Sequence, residues 1–415
     1  MIDAAKARPL PEEPSNSEHS LEIILNEGQW QLLEQEWREI YAVCPTASPP
    51  LGWEWTRTWW SLFGGLYAVR NGEDEGLRLH VIRKNGRMVG VLPLYLRRSQ
   101  NSPLGSRRLC FLSTGEAEFE EVCAENLDLL YLPEDRDACL NLLRDALLKP
   151  TANEWDELHL SPISVNSALS QWRMDVFEGG LGAKDSELGP SFLVNLEEGF
   201  EGYLSLLSSN SRGLARKRTR GAIRDGAVFQ VAETQTEADE MFEQLIVLHQ
   251  ARWVEEGKLG CFSAPRFTEF HRLLISRLLD RKEAIIARMA VENETVSVML
   301  GYIAGKKFDS YVAGAKFDDE RIKSPGITLH LLLKERLATQ GIAAYDHMSG
   351  TMRYKQQYST SEAGNFSLEL TRPTLRTNVG LVSNVAKRVA LKGRDLFRQR
   401  FSAQNVGDKT FSEAK

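Results

Sequence analysis

The dipeptide Asn85-Gly86 sits between two apolar runs, Leu77–Arg83 and Met88–Leu96. A two-residue connection of this kind closes a β-hairpin through a type I′ turn, because both residues tolerate positive φ. The chain must therefore build an antiparallel meander and cover its apolar face. A second segment in the later half reads the same way. "GRMVGVLPLYLRR" and "ETVSVMLGYIAGK" share a polar turn, a valine-led strand and a tyrosine, Tyr95 and Tyr302, at matching spacing. Helical periodicity flanks both. Two copies of one α/β unit are expected, each with helices on both faces of a largely antiparallel sheet.

The spacing predicts strands at Leu21–Leu25, Arg108–Leu112, Glu157–Leu160, Phe192–Leu196 and Phe229–Val231, and a second meander at Ala284–Val291, Val296–Ala304 and Lys307–Ala315. One more strand is expected at Ala343–Met348. Helices are predicted at Gln29–Val43, Gly52–Phe63, Arg136–Leu148, Tyr203–Asp225, Glu237–Glu256, Pro265–Asp280, Gly326–Gln340 and Arg353–Tyr358. A length of 415 residues is natural for two domains. The expected division is a disordered tail at 1–20, an N-terminal half at 21–190, a C-terminal half at 191–371 and a basic tail at 372–415. In the Gly52–Phe63 helix, Trp53 and Trp60 share one face and Trp55 and Trp59 another. Core packing is the expected use of these rings, with a substrate platform as the alternative.

A net charge of −6 gives no push toward nucleic acid. The five cysteines are scattered without a C-x-x-C pair, which argues against a metal cluster and fits a reducing compartment. The start lacks the apolar stretch of a signal peptide, and no run of about 18 apolar residues marks a membrane span. A cytoplasmic location is expected. Residues 371–400 hold eight Lys and Arg against one acid. That tail is a solvated helix or a peripheral contact with an anionic membrane.

The segment "RIKSPGITLHLLLKERLATQG" passes from a turn into a strong helix. Pro325 suits a first helical position, and Gly326 lets a ligand approach backbone closely. Bare amides at a helix start attract phosphate oxygens, and Arg321 and Lys323 add cations. An ordinary capped helix is the competing reading.

Arg321-Ile322-Lys323-Ser324-Pro325-Gly326 is similar to the pyrophosphate loop of GNAT acyltransferases, written [RQ]-x-x-G-x-[GA], with Ser324 in place of the first glycine. From about Trp30 to Tyr358 the chain resembles the CelD/BcsL-like acetyltransferases, linked to cellulose and exopolysaccharide synthesis. The resemblance rests on "WEWTRTWWSLFG", "GRMVGVLPLYLRR", "LCFLSTGEAEFEE", "LSSNSRGLARKRTR", "LHQARW" and "SPGITLHLLLKERLATQGIAAYDHMSGTMRYKQQY". It implies a GNAT-type fold, α/β, in two tandem units with mixed, largely antiparallel sheets. It also implies transfer of an acyl group, acetyl above all, from CoA to an amine or hydroxyl of a sugar, lipid or polysaccharide precursor, without a metal. The chain departs from the family pattern after Asp346, where His347, Met348 and Ser349 stand, and at Thr351, Met352 and Arg353.

On that resemblance the acyl-CoA site comprises Gly314, at the end of the fourth strand, with Arg321, Lys323, Ser324, Pro325, Gly326 and Ile327. Tyr354 is the candidate acid for the leaving thiolate. His249 is the candidate base, since neutral imidazole accepts protons near pH 7, and Asp346 is a further catalytic candidate. Glu116, Glu118, Arg252, Trp253, His347 and Lys355 are candidate acceptor contacts. Each has a plainer reading: a core histidine, a packed tyrosine, a turn-capping aspartate, a solvated lysine or an exposed acidic loop. Two rival functions stay open. The stripe Arg212, Arg216, Arg220 and Arg224 suits a FemABX-like transferase that takes its acyl group from aminoacyl-tRNA. The altered segment after Asp346, with the basic tail, suits a non-catalytic scaffold of a synthase complex.

Overall fold

A computed structural model describes residues 18–99, 104–148, 154–175, 182–316 and 321–378. Among the described residues thirteen strands are formed: β1 (His19–Ile24), β2 (Leu77–Lys84), β3 (Arg87–Arg98), β4 (Arg107–Phe111), β5 (Leu130–Tyr131), β6 (Glu157–Ser164), β7 (Gly182–Asn195), β8 (Val228–Val231), β9 (Ala284–Val291), β10 (Glu294–Ala304), β11 (Lys307–Ala315), β12 (Ala344–Ser349) and β13 (Ser361–Thr371). They join in one mixed sheet in the order β1-β2-β3-β4-β6-β13-β7-β12-β11-β10-β9-β8, with β5 attached to β3. The pairs β4–β6 and β11–β12 are parallel. Each half thus carries a hairpin, a third antiparallel strand and a parallel partner beyond a helical crossover.

The turn chemistry explains the matched hairpins. Lys84 pairs with Arg87 across Asn85 and Gly86, at φ 53° and 84°. Val291 pairs with Glu294 across Glu292 and Asn293, at φ 50° and 64°. Both are two-residue turns with positive φ at each central residue, which match the strands' right-handed twist.

The core forms along strand alternation. Val298, Leu300 and Tyr302 of β10 face a large cluster that continues into the N-terminal half, while Met299 faces a second cluster beneath the helix Pro325–Thr339. The tryptophan helix Trp53–Trp59 joins the halves. Its Trp55 ring meets Phe270, Tyr302 and Tyr311 at 5.1, 5.3 and 5.7 Å between centroids. Trp53, Trp55, Trp59 and Trp60 are all buried, so these rings pack the core.

Several predicted elements differ. The expected helix Gln29–Val43 is two helices, Glu27–Gln31 and Glu34–Val43. The expected helix Tyr203–Asp225 is also two. Leu207 is extended, and the Ser208 hydroxyl then caps a new helix, Ser209–Arg224, by accepting from Ser211 N–H. The strand expected at Phe192–Leu196 begins at Gly182, and β5 and β13 are additional. Residues 1–17 of the expected tail lie outside the described residues, while His19 and Ser20 belong to β1. Most of the basic tail, 379–415, is likewise outside. Its first residues dock on the N-terminal half, with Arg372 over the Trp155 ring at 3.9 Å and Arg376 3.4 Å from Asp156. No described helix is long and apolar enough to cross a membrane.

Candidate active site

The site follows from how β11 and β12 part. Their parallel pairing covers only Lys307–Asp309 against Ala344–Asp346. Beyond that, β11 keeps only β10, while β12 turns toward β7. Asp346 marks the fork. Its Oδ1 accepts the Met348 N–H at 2.7 Å, and Met348 takes φ 61° as β12 bulges away. On the other side, β11 carries a bulge of its own: Leu300 pairs with Val312 and Gly301 with Ser310, leaving Tyr311 as the extra residue.

A cleft of about 890 Å³ opens along β11 from Tyr311 to Lys316. Its other walls are the start of the Pro325–Thr339 helix, one face of the central helix Gln235–Glu255, and Met352 and Tyr354. Ser324 caps the former helix in the left-handed conformation, φ 58° and ψ 60°, without a side-chain hydrogen bond to the first amides. Lys323, Ser324, Pro325, Gly326 and Ile327 all line the cleft. The helix entrance is therefore neither plugged by its own cap nor turned away from space. Gly314 lets strand and central helix touch: a Cβ there would meet His249 N and Leu248 Cβ at 2.8 Å.

A second cavity of about 780 Å³ adjoins the first. The two share His249, Trp253, Tyr311 and Val312. Its far wall comes from the N-terminal half, through Glu118, Phe119, Glu121, Cys123 and Glu125. Lys355 and Ser349 close another side. Burial and neighbouring Glu118 raise the Glu121 carboxyl above the ordinary range. Burial also raises Glu125, although Ser349 donates its N–H at 2.9 Å and its hydroxyl at 2.5 Å. Lys355 donates to Ser349 O at 2.5 Å, and burial lowers its ammonium.

His249 stands on the partition. Its Nε2 receives the Trp253 indole N–H at 2.9 Å and faces Cys261 Sγ at 3.6 Å, while Nδ1 lies 3.3 Å from Gln250 Oε1. An indole only donates, so Nε2 is the bare nitrogen and Nδ1 holds the proton. Burial lowers the ring's pKa and keeps it neutral near pH 7. Tyr354 Oη lies 3.2 Å from His330 Nε2, and burial pushes the phenol up to about 12. Arg252 borders the cleft with its Nε on Glu256 at 3.1 Å.

Ten of the predicted site residues thus meet at the cleft: His249, Arg252, Trp253, Gly314, Lys323 to Ile327 and Tyr354. Glu118 and Lys355 line the second cavity. Four lie elsewhere. Arg321 points at Glu294 and Glu292, at 2.6 and 3.4 Å, bracing the β9–β10 turn. Glu116 is buried under the Trp59 indole, raised to about 7 by desolvation. Asp346 faces a third cavity of about 470 Å³ at the head of β11 and β12, with Asn126 at 3.2 Å and Lys307 at 3.5 Å. His347 is buried below the cleft, its Nε2 2.8 Å from Lys334 Nζ. Sequence reasoning missed His330, Tyr311, Glu121 and Glu125. His330 carried a signal, since it follows Gly326 by one helical turn and shares its face. Among the described residues no group of three or more His, Cys, Asp or Glu side chains is arranged to hold a metal.

Residues 208–356 match an acetyltransferase (GNAT) domain. That stretch runs from the cap of the basic helix to the short helix carrying Tyr354, and it contains the cleft. No curated protein matches the chain significantly. Among solved structures, FemX superposes with a TM-score of 0.53 at 11% identity, over 80% of this chain and 95% of FemX. A tandem GNAT protein from the clavulanic acid biosynthesis pathway gives 0.46 at 12%, over 86% and 100%. L-PGS from Bacillus licheniformis gives 0.45 at 14%, over 80% and 96%. The likeness to FemX is one of fold. The chain has a GNAT-type fold and carries a GNAT-type acyltransferase domain.

Proposed function

We propose that the protein transfers an acyl group from acyl-CoA, acetyl-CoA first, to an amine or hydroxyl held in the second cavity. The observation that carries this is the shared partition. One cleft begins at an open helix N-terminus suited to a diphosphate, and it meets a carboxylate-lined cavity at His249, Trp253, Tyr311 and Val312. A thioester reaching that partition would lie between a donor side and an acceptor side.

The chemistry is direct acyl transfer. The acceptor attacks the thioester carbon, and its proton passes to His249 Nε2 once the Trp253 indole yields that lone pair. The C–S bond breaks, and the thiolate takes the Tyr354 proton. Backbone N–H at the β11 bulge supports the developing oxyanion. Glu118, Glu121 and Glu125 favour an acceptor that arrives as an ammonium ion, such as an amino sugar or an aminolipid headgroup, which gives up one proton to this wall or to solvent before the free amine attacks. Assignment to cellulose or exopolysaccharide synthesis belongs to this proposal through the sequence resemblance. The aminoacyl-tRNA reading has the basic helix on its side, yet Arg216 is paired with Glu201 and Arg224 with Asp225.

Calorimetry with acetyl-CoA tests the donor site. Wild type should bind, and Gly326→Val should weaken binding about tenfold or more, about 1.4 kcal/mol. The added branches would cover the helix-start amides, because even a Cβ there meets Ala315 at 3.3 Å. No binding by wild type at millimolar acetyl-CoA would end the CoA reading.

A further inference from the structure

Behind Tyr354 stand two groups, His330 and Tyr345, that the acyl transfer outlined above does not use. Tyr354 Oη is 3.2 Å from His330 Nε2, and His330 Nδ1 is 2.5 Å from Tyr345 Oη. His330 and Tyr345 are both buried. Desolvation, with Lys334 and Lys355 nearby, holds His330 far below its ordinary pKa, so it is neutral and carries one N–H. Which nitrogen holds that proton decides what Tyr354 can do.

Two arrangements satisfy the distances. In one, Tyr345 O–H donates to Nδ1, and His330 Nε2–H donates to Tyr354 O. The Tyr354 proton then points away from the histidine. In the other, Tyr354 O–H donates to Nε2, Nδ1–H donates to Tyr345 O, and the Tyr345 proton falls to Met299 Sδ at 3.2 Å. The first is favoured on chemical grounds. Both contain one phenol O–H donating to imidazole, so the difference lies with the Tyr345 proton: the second arrangement spends it on a thioether, a weak acceptor, whereas the first gives it to imidazole nitrogen.

We infer that His330 is a positioning residue: by donating Nε2–H to Tyr354 O, it turns the tyrosine's proton into the cleft, toward a departing thiolate. This rests on the acyltransferase reading. In the step itself, the tetrahedral intermediate collapses, the C–S electron pair goes to sulfur, and sulfur takes the Tyr354 proton. The phenolate left behind keeps the Nε2–H bond until solvent returns a proton.

The tautomer can be read directly. In the full chain with 15N-labelled histidine, the His330 resonances, assigned by their loss in His330→Gln, should show protonated Nε2. Protonated Nδ1 would overturn the inference. Function is read with acetyl-CoA and with the acetyl thioester of an acidic aryl thiol, using glucosamine as the amine probe. His330→Leu should lower kcat with acetyl-CoA about 100-fold, within the range for general acid–base assistance, with little change in KM. The loss should nearly vanish with the aryl thioester, whose thiolate needs no proton. His330→Gln, which keeps a donor at the Nε2 position, should recover most of the rate. Equal losses with both donors, or none with either, would reduce His330 to a packing role. A wild type inert toward both would overturn the acyltransferase reading, while the tautomer measurement would still judge the hydrogen-bond assignment.

Discussion

The Trp253 indole N–H donates to His249 Nε2 at 2.9 Å, so the histidine's one free lone pair is occupied by its own helix neighbour. The two rings are four residues apart on the central helix, the spacing that brings side chains together on one face. The indole also lines both cavities, and Lys258 Nζ lies 4.9 Å from its ring centre. A ligand in either cavity therefore lies beside this ring as well as beside His249, which lines both cavities too.

Replacing Trp253 with Phe should therefore unmask the imidazole. The indole bond stabilises the neutral ring, so its loss should raise the His249 pKa from its depressed position toward the ordinary value. Proton NMR titration of the imidazole, with diethyl pyrocarbonate labelling as a second reading, checks this. A lower pKa, or slower labelling than wild type, would contradict the arrangement.

The acidic wall should govern the acceptor alone. Glu118→Gln with Glu121→Gln should raise KM for an amine acceptor about tenfold and leave acetyl-CoA binding within about twofold, since neither residue borders the donor cleft. Parallel steady-state kinetics and calorimetry separate the two effects. A loss confined to acetyl-CoA affinity would refute the division of labour.

Glu116 makes a pH-dependent contribution with a definite sign. Desolvation raises its folded pKa from 4.5 to about 7, so the folded state holds a proton that the unfolded state releases between those values. Its contribution is fully present below pH 4.5 and is lost as pH rises through about 7. Glu116→Gln keeps an acceptor for the Trp59 indole without a charge. The variant should match wild type near pH 4.5 and exceed it at pH 8 by roughly 3 kcal/mol, at 1.36 kcal/mol per unit. Urea denaturation at the two pH values measures this, and equal differences at both would disprove it.

Much of this architecture was legible because it is local. Asn85-Gly86 specified a turn that only one hairpin geometry satisfies, and the Lys307–Ala315 strand was bounded as found. The helix start at Pro325 announced itself by proline and glycine. What escaped is long-range. β13 contains Gly364 and Asn365 and alternates only over Phe366, Leu368 and Leu370. It becomes a strand because β6 and β7 offer edges some 200 and 180 residues earlier in the chain. Arg321 looked like a phosphate ligand because spacing alone could not reveal Glu294 beside it. Asp346 looked catalytic, but a bulge turns its carboxylate to a backbone N–H. Glu121 and Glu125 gained meaning only when the two halves closed on one cavity.

The strand β13 sits between β6 and β7, stitching the end of the described chain into the middle of the sheet. An N-terminal fragment released on its own would leave the β6 edge bare, a template for pairing with another molecule. On the ribosome, the first half must wait for residues 361–371 to emerge before its last ladder can close. Manufacture of this protein in two separately expressed pieces should thus succeed only when the second piece supplies that missing rung.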